Sequence, residues 1–135
     1  MSSRLLIRRL SEQHMVANFT DQPVKFENAV FTQPDDGRWV EFFVETARTR
    51  ARTIGRGLTR TPGQIRVVVR SPVGEGTGNG WEIADKIGEV FDSATLTFQD
   101  SFLRFKCASA SSGGRIDSSY SIVVTIPFEF DGDDR

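Results

Sequence analysis

The chain is poor in the residues that usually carry chemistry. Its 135 residues include one cysteine, Cys107, one histidine, His14, and one tyrosine. A lone cysteine excludes an internal disulfide and a cysteine metal cluster. With a single histidine there is no second imidazole to complete a metal site, and no Ser-His-Asp set is supported by spacing. No apolar run approaches the roughly 18 residues of a membrane span. The opening Met1-Ser-Ser-Arg-Leu-Leu-Ile-Arg-Arg-Leu10 has arginines at both ends of a very short apolar stretch, which predicts no signal peptide. The formal charge of −1 predicts no bulk attraction to nucleic acid or membrane. A soluble intracellular protein without catalytic, cofactor or metal site is the expectation.

Acidic residues are scarce in one region. Between Glu45 and Glu75 there is none, yet that region holds Arg48, Arg50, Arg52, Arg56, Arg60, Arg66 and Arg70. The C-terminus reverses the balance with Glu129, Asp131, Asp133 and Asp134. Such asymmetry says more about partners than the net charge does.

Apolar material is plentiful. Eleven phenylalanines provide the core of one domain spanning 1–135. Leu6, Ile7, Leu10, His14 and Ala17 fall on one stripe at helical spacing between Ser3 and Ala17, making His14 a core or interface residue. Residues Pro23 to Phe31 are extended in character, and Pro34-Asp-Asp-Gly37 marks a turn. Trp39 to Thr46 alternates Val40, Phe42 and Val44 with Glu41 and Glu45. Gln64 to Arg70 alternates Ile65, Val67 and Val69 with Arg66 and Arg70. Pairing these two strands sets carboxylates opposite guanidiniums on the outward face, which favours the pairing. The connection between them, residues 47–63, is long for a hairpin and rich in Arg, Thr and Gly, so it reads as a projecting arm.

A second helix follows, with Asn79 as its N-cap, Glu82 three residues on, and Trp81, Ala84, Ile87, Gly88 and Phe91 on one side. Trp39 and Trp81 are expected at the sheet edge and the helix start. Alternation returns in Ala94 to Gln99 and in Leu103, Phe105 and Cys107, which places the thiol in the core. A loop at Ser111-Ser-Gly-Gly114 leads to the strand of Tyr120, Ile122, Val124, Ile126, Phe128 and Phe130. The order α-β-β-α-β-β-β predicts an α+β domain. Its single mixed or antiparallel sheet carries the N-terminal helix, a crossover helix and a long hairpin arm, and an acidic tail occupies 131–135.

Between strand and second helix lies Ser71-Pro-Val-Gly-Glu-Gly-Thr-Gly-Asn-Gly80, with a glycine at every second position from Gly74. A Walker loop would need Gly-Lys-Ser or Gly-Lys-Thr, but Gly78 is followed by Asn79, and Glu75 would repel phosphate. A dinucleotide fingerprint starting at Gly74 would need glycine at 79. The glycines therefore read as a sharp turn from strand into helix. The pairs Asp35-Asp36 and Asp133-Asp134 lack the spacing of a calcium loop and read as solvated.

Taken in order, the motifs are informative: Pro23-x-x-Phe26-Glu27-Asn28-x-x-Phe31-x-x-Pro34, Trp39-Val40, Gly55 and Gly57 in the arm, Gly63-x-Ile65-x-Val67, Pro72-x-Gly74-x-Gly76, and Ala84-Asp85-x-Ile87 ending at Phe91. This string resembles the phage tail terminator-like family, related in role to minor tail protein U of lambda-like long-tailed phages. Ile126-Pro127-Phe128 is also similar to the family's last strand.

The resemblance implies a virion structural protein without enzymatic activity: a homohexameric ring at the head-proximal end of the tail that stops tube polymerisation and joins the head connector. Its implied partners are the tail tube protein, the head–tail connector protein and genomic DNA passing through the lumen without sequence-specific binding. No membrane is involved, and host cytoplasm is the implied site of assembly. Arg48, Arg50, Arg52, Arg56 and Arg60 of the arm, with Asp131, Asp133 and Asp134 of the tail, are the expected subunit and tube interface. Another connector, neck or tube-like phage protein has a similar small α+β fold. A nucleic-acid-binding module would use the same arginines, but the arm has no interleaved aromatics for base stacking.

Overall fold

The computed structural model describes residues 3–51, 58–74, 78–116 and 119–133. Helix α1 spans Ser3–Asn18, followed by strands β1 (Val24–Phe26), β2 (Trp39–Thr46), β3 (Arg50–Ala51) and β4 (Leu58–Pro72). Helix α2 covers Gly78–Phe91 and leads to β5 (Thr95–Phe98), β6 (Ser101–Phe105), β7 (Ser109–Ile116) and β8 (Ser119–Asp133). Together these form one eight-stranded sheet of order β1-β2-β4-β8-β6-β5, with β3 beside β4 and β7 beside β8. The fold is α+β, as the residue pattern predicts. The sheet is mixed because β1 runs parallel to β2, whereas every other pairing is antiparallel.

Two strands organise the sheet. β4 and β8 pair over fifteen residues, from Leu58↔Asp133 to Pro72↔Ser119. Each then shares its far side between two shorter strands: β2 and β3 along β4, β6 and β7 along β8. Proline has no ladder donor, so within a sheet it needs a place where none is required. Both internal prolines have one. Pro62 sits between the end of β2 and the start of β3, where its carbonyl accepts the Ala47 N–H at 2.8 Å. Pro127 sits between β6 and β7 and accepts from the Lys106 N–H at 2.8 Å. The N–H and C=O of a strand residue point the same way, so each missing donor faces a gap in the ladder.

The predicted alternation sets the core. Val40, Phe42 and Val44 pair with Val69, Val67 and Ile65, and these with Ile122, Val124 and Ile126. All nine are buried. The two helices cover this face through Leu6, Ile7 and Met15, and through Ile83, Ala84, Ile87 and Phe91. Phe91 is the centre of a ring cluster. Its ring lies 5.1 Å from His14, 5.0 Å from Phe105 and 6.0 Å from Phe42. His14 Nε2–H donates to the Val90 carbonyl at 2.8 Å, satisfying a C-terminal orphan of α2 and joining the two helices.

Some expectations shift. The α1 stripe runs through Ser3, Leu6, Ile7, Ser11 and Met15, with Leu10 and His14 half-buried and Ala17 exposed. α2 starts at Gly78, so Asn79 is its second residue rather than a cap. Trp81 is half-buried at the helix start. Trp39 is buried at the first position of β2, which is flanked by β1 and β4. Cys107 is exposed, because β6 stops at Phe105 and the alternation stops with it. Ser109–Ile116 is a strand rather than a loop, with a register shift between Ser112 and Gly114. β8 continues through Asp133, so residues 131–133 belong to the sheet rather than to a tail.

Gly63 cannot accept a side chain. A Cβ there would lie 2.4 Å from the Glu45 carbonyl oxygen and 2.6 Å from the Phe128 ring. Gly63→Ala should therefore lower stability by about 1–3 kcal/mol, the usual range for overpacking. Urea unfolding should show a lower midpoint at unchanged slope. A midpoint equal to that of the wild type would contradict this packing.

Candidate assembly surface

The base of the arm is built into the sheet. Arg50 lies opposite Arg60 across β3 and β4, and Arg60 lies opposite Asp131 on β8. The Arg60 guanidinium holds Asp131 in a fork, Nε at 2.7 Å and Nη2 at 3.1 Å. It also approaches Glu129 at 3.1 Å. Arg104 reaches the same Asp131 from β6, and Lys106 Nζ lies 2.7 Å from Glu129. Asp131 is only 2% exposed, a burial that would be costly without these partners. The hydrogen bond and charge of Asp131 raise the Arg60 pKa, and the hydrogen bond from Lys106 holds the Glu129 carboxyl below its usual range.

Of the expected interface residues, Arg60 and Asp131 thus neutralise each other within the chain. Arg48 is exposed just before β3 and has no ion-pair partner among the described residues. Arg50 and Asp133 are placed by their backbones in β3 and β8. Arg52, Arg56 and Asp134 lie outside the described residues. Arg104 and Lys106 were not among the expected site residues. Their outward alternation with Leu103 and Phe105 was the signal for them, since β6 pairs with the strand carrying Glu129.

Elsewhere on the open face the sheet cations are matched. Arg70 meets Glu41 at 3.0 Å and Arg66 meets Glu45 at 3.0 Å, the pairing expected from the alternation. Lys25 lies 3.7 Å from Glu41, and the Arg66 guanidinium stacks 4.4 Å above Phe43. Among the described residues these pairings leave no broad basic surface there.

Glu27 explains part of the Phe26-Glu27-Asn28 motif. β1 ends at Phe26, opposite Phe42, so the Val44 N–H lies past its end. Glu27 Oε1 accepts that N–H at 2.8 Å and receives Arg8 Nη1 at 2.9 Å, tying α1 to the strand. Asn28 then turns the chain at φ 54°, a conformation that asparagine tolerates. Burial raises the Glu27 carboxyl, but the Val44 N–H and Arg8 outweigh it and the net shift is downward. A lowered folded pKa contributes stability that is present above the ordinary value of 4.5 and is lost as pH falls through the folded one. Glu129 acts in the same sense, whereas Glu12, raised by burial, opposes them. Stability should therefore fall below about pH 4.5, and Glu27→Gln should flatten that fall. Urea midpoints measured at pH 5 and pH 3 for both proteins check this, and equal slopes would contradict it.

The turn into α2 begins at Gly74, with φ 94°. Residues 75–77 lie outside the described residues. Gly80 has a packing role: a Cβ there would lie 2.9 Å from Ile122 Cδ1, so glycine lets the helix approach β8. Among the described residues no helix is long and apolar enough to cross a membrane.

Thirteen chains of known structure match this fold. One of them, whose name states no function, superposes with a TM-score of 0.74 at 21% identity and covers 96% of each chain. No curated protein matches the sequence. The family model described as "Phage tail terminator protein" matches residues 3–128, and the chain therefore belongs to the phage tail terminator family, structural proteins of the virion.

Proposed function

We propose that the protein forms a homohexameric ring on the head-proximal end of the finished tail tube. The ring stops addition of tube protein and offers its other face to the head connector. Genomic DNA passes through the lumen without sequence-specific contact.

The observation that carries this reading is the contrast between the arm and the sheet. Arg60, Arg66, Arg70 and Arg104 are neutralised by carboxylates of their own chain. The segment from Thr46 to Gly57 holds Arg48, Arg50, Arg52 and Arg56 and no acidic residue. Four like charges in one connection repel each other, and the carboxylates of another chain relieve that repulsion. A nucleic-acid module is disfavoured, because no aromatic residue lies between Glu45 and Glu75 and Arg60, Arg66, Arg70 and Arg104 are already paired with carboxylates.

Native mass spectrometry tests the ring. A hexamer should dominate at low salt and dissociate as salt screens its ion pairs over distances of about 8 Å. A protein that stays monomeric at high concentration and on tube ends would contradict the proposal.

A further inference from the structure

A groove of about 290 Å³ runs between α2 and β7. Its floor is made of small residues, among them Gly88, Ala108 and Ala110, and its helical rim carries Asp85, Glu89 and Asp92. All three carboxylates are exposed. Among the described residues no cation pairs with them, although Asp92 accepts the Ala108 N–H at 3.3 Å.

Their placement is unfavourable for an isolated chain. Asp85 and Glu89 stand at i and i+4, where like charges repel along a helix. Glu89 lies in the last turn of α2 and Asp92 just beyond it, where the partial negative charge of the helix end favours cations. The last turn of α2 holds no basic residue. Lys86 on the same helix offsets part of this charge through its field at Glu89, but its ammonium is held by Asp21, and no direct ion pair with Asp85, Glu89 or Asp92 forms among the described residues. A local rule so weakly compensated is how functional surfaces often stand out.

We propose that this groove receives the arginine-rich arm of a second copy of the chain. The inference rests on the ring reading above and names the surface that meets the arm. Arginine fits on both counts: its aliphatic stem lies along a flat alanine and glycine floor, and its planar fork pairs with carboxylates on the rim. The arm is the complementary surface, a cationic segment without a carboxylate.

A chain cannot fill its own groove with Arg48. Val124 lines the groove and pairs with Val67, whereas the arm leaves the sheet beside Pro62. Those five residues of strand span about 17 Å, and β4 and β8 also lie between. Arm and groove occupy different places on the same molecule, so their contact is head-to-tail and closes into a ring when the rotation allows.

Two variants test the pairing by native mass spectrometry. The groove variant is Asp85→Lys/Glu89→Lys, and the arm variant is Arg48→Glu/Arg52→Glu/Arg56→Glu. Asp92 is left intact because it holds the Ala108 amide. Each variant alone should be monomeric with an unchanged melting temperature. An equimolar mixture should recover hexamers with the two subunits in alternation, because each arm then meets a groove of opposite charge. If the lysine variant melts early, Asp85→Asn/Glu89→Gln replaces it, and the concentration at half-assembly should rise about tenfold. Wild-type assembly by a folded groove variant overturns the inference but leaves the ring reading standing. So does a mixture of two monomeric variants that fails to recover rings. A wild-type protein that never assembles, alone or on tubes, overturns the ring reading and this inference with it.

Discussion

Reversing the arm's charge with Arg48→Glu, Arg52→Glu and Arg56→Glu is expected to give tails of uncontrolled length or tails without heads, with the domain still folded. The strands flanking the arm are anchored by Val40, Phe42, Ile65 and Val67, all buried on the helix side. Of the substituted positions, Arg48 is exposed and takes no part in that core, and Arg52 and Arg56 lie outside the described residues. Surface changes of this kind usually fall within about 0.5 kcal/mol, which is a melting shift of about 2 °C for a domain of this size. Arg50 is left in place because it lies in β3 opposite Arg60, whose guanidinium already holds Asp131. What changes is the sign of the segment that, in the proposed ring, faces another chain. Like charges across an interface cost several kcal/mol, far more than the fold loses. Tail lengths measured by electron microscopy from cells carrying the variant, with calorimetry of the purified protein, separate the two effects. Normal tail length with normal infectivity would remove the arm from the assembly surface, and loss of DNA binding in place of tail control would favour the nucleic-acid module.

The largest expected effect on stability belongs to Phe91→Ala. Phe91 is fully buried at the end of α2 and contacts rings from α1, β2 and β6 through His14, Phe42 and Phe105. Truncating such a phenylalanine typically costs 3–5 kcal/mol, the transfer free energy of the ring plus that of the cavity left behind. The melting temperature should fall by about 10 °C or more. The His14–Val90 bond should weaken with it, since the ring that positions the imidazole is gone. Thermal unfolding, with amide exchange across α1, checks both. A drop under about 1 kcal/mol would show that the two helices do not share one core.

The sheet was legible wherever alternation was strong. Period alone places Val40 to Val44, Ile65 to Val69 and Ile122 to Phe130 on one buried face and Glu41, Glu45, Arg66 and Arg70 on the other, whereas the register decides that Glu41 meets Arg70 and Glu45 meets Arg66 diagonally. β7 was not legible, because Ser-Ala-Ser-Ser-Gly-Gly-Arg-Ile has neither alternation nor strand propensity. Its ladder is supplied by β8, a tertiary cause that no local window contains. The alternation of Leu103 and Phe105 points Cys107 inward, but β6 ends at Phe105 and the thiol is exposed. In α1 the small buried residues Ser3 and Ser11 lie on the packed stripe, where a hydrophobic count does not look for them.

The site was legible as charge but not as geometry. Sequence located the arginine segment and the C-terminal carboxylates. It could not show that Arg60 and Asp131 stand opposite each other in one ladder and so meet within the chain. The carboxylates of α2 carry no signal in the sequence, because acidic residues on a helix surface are ordinary until the last turn and the groove beside them are known.

In the proposed function the protein stops tube growth by capping one end. Purified tail tube protein allowed to polymerise with and without the terminator, and imaged by electron microscopy with the terminator labelled, tests this directly. Tubes grown with the terminator should stop elongating, each with label at a single end. Tubes that lengthen at the same rate in both samples, or label spread along their sides, would contradict it.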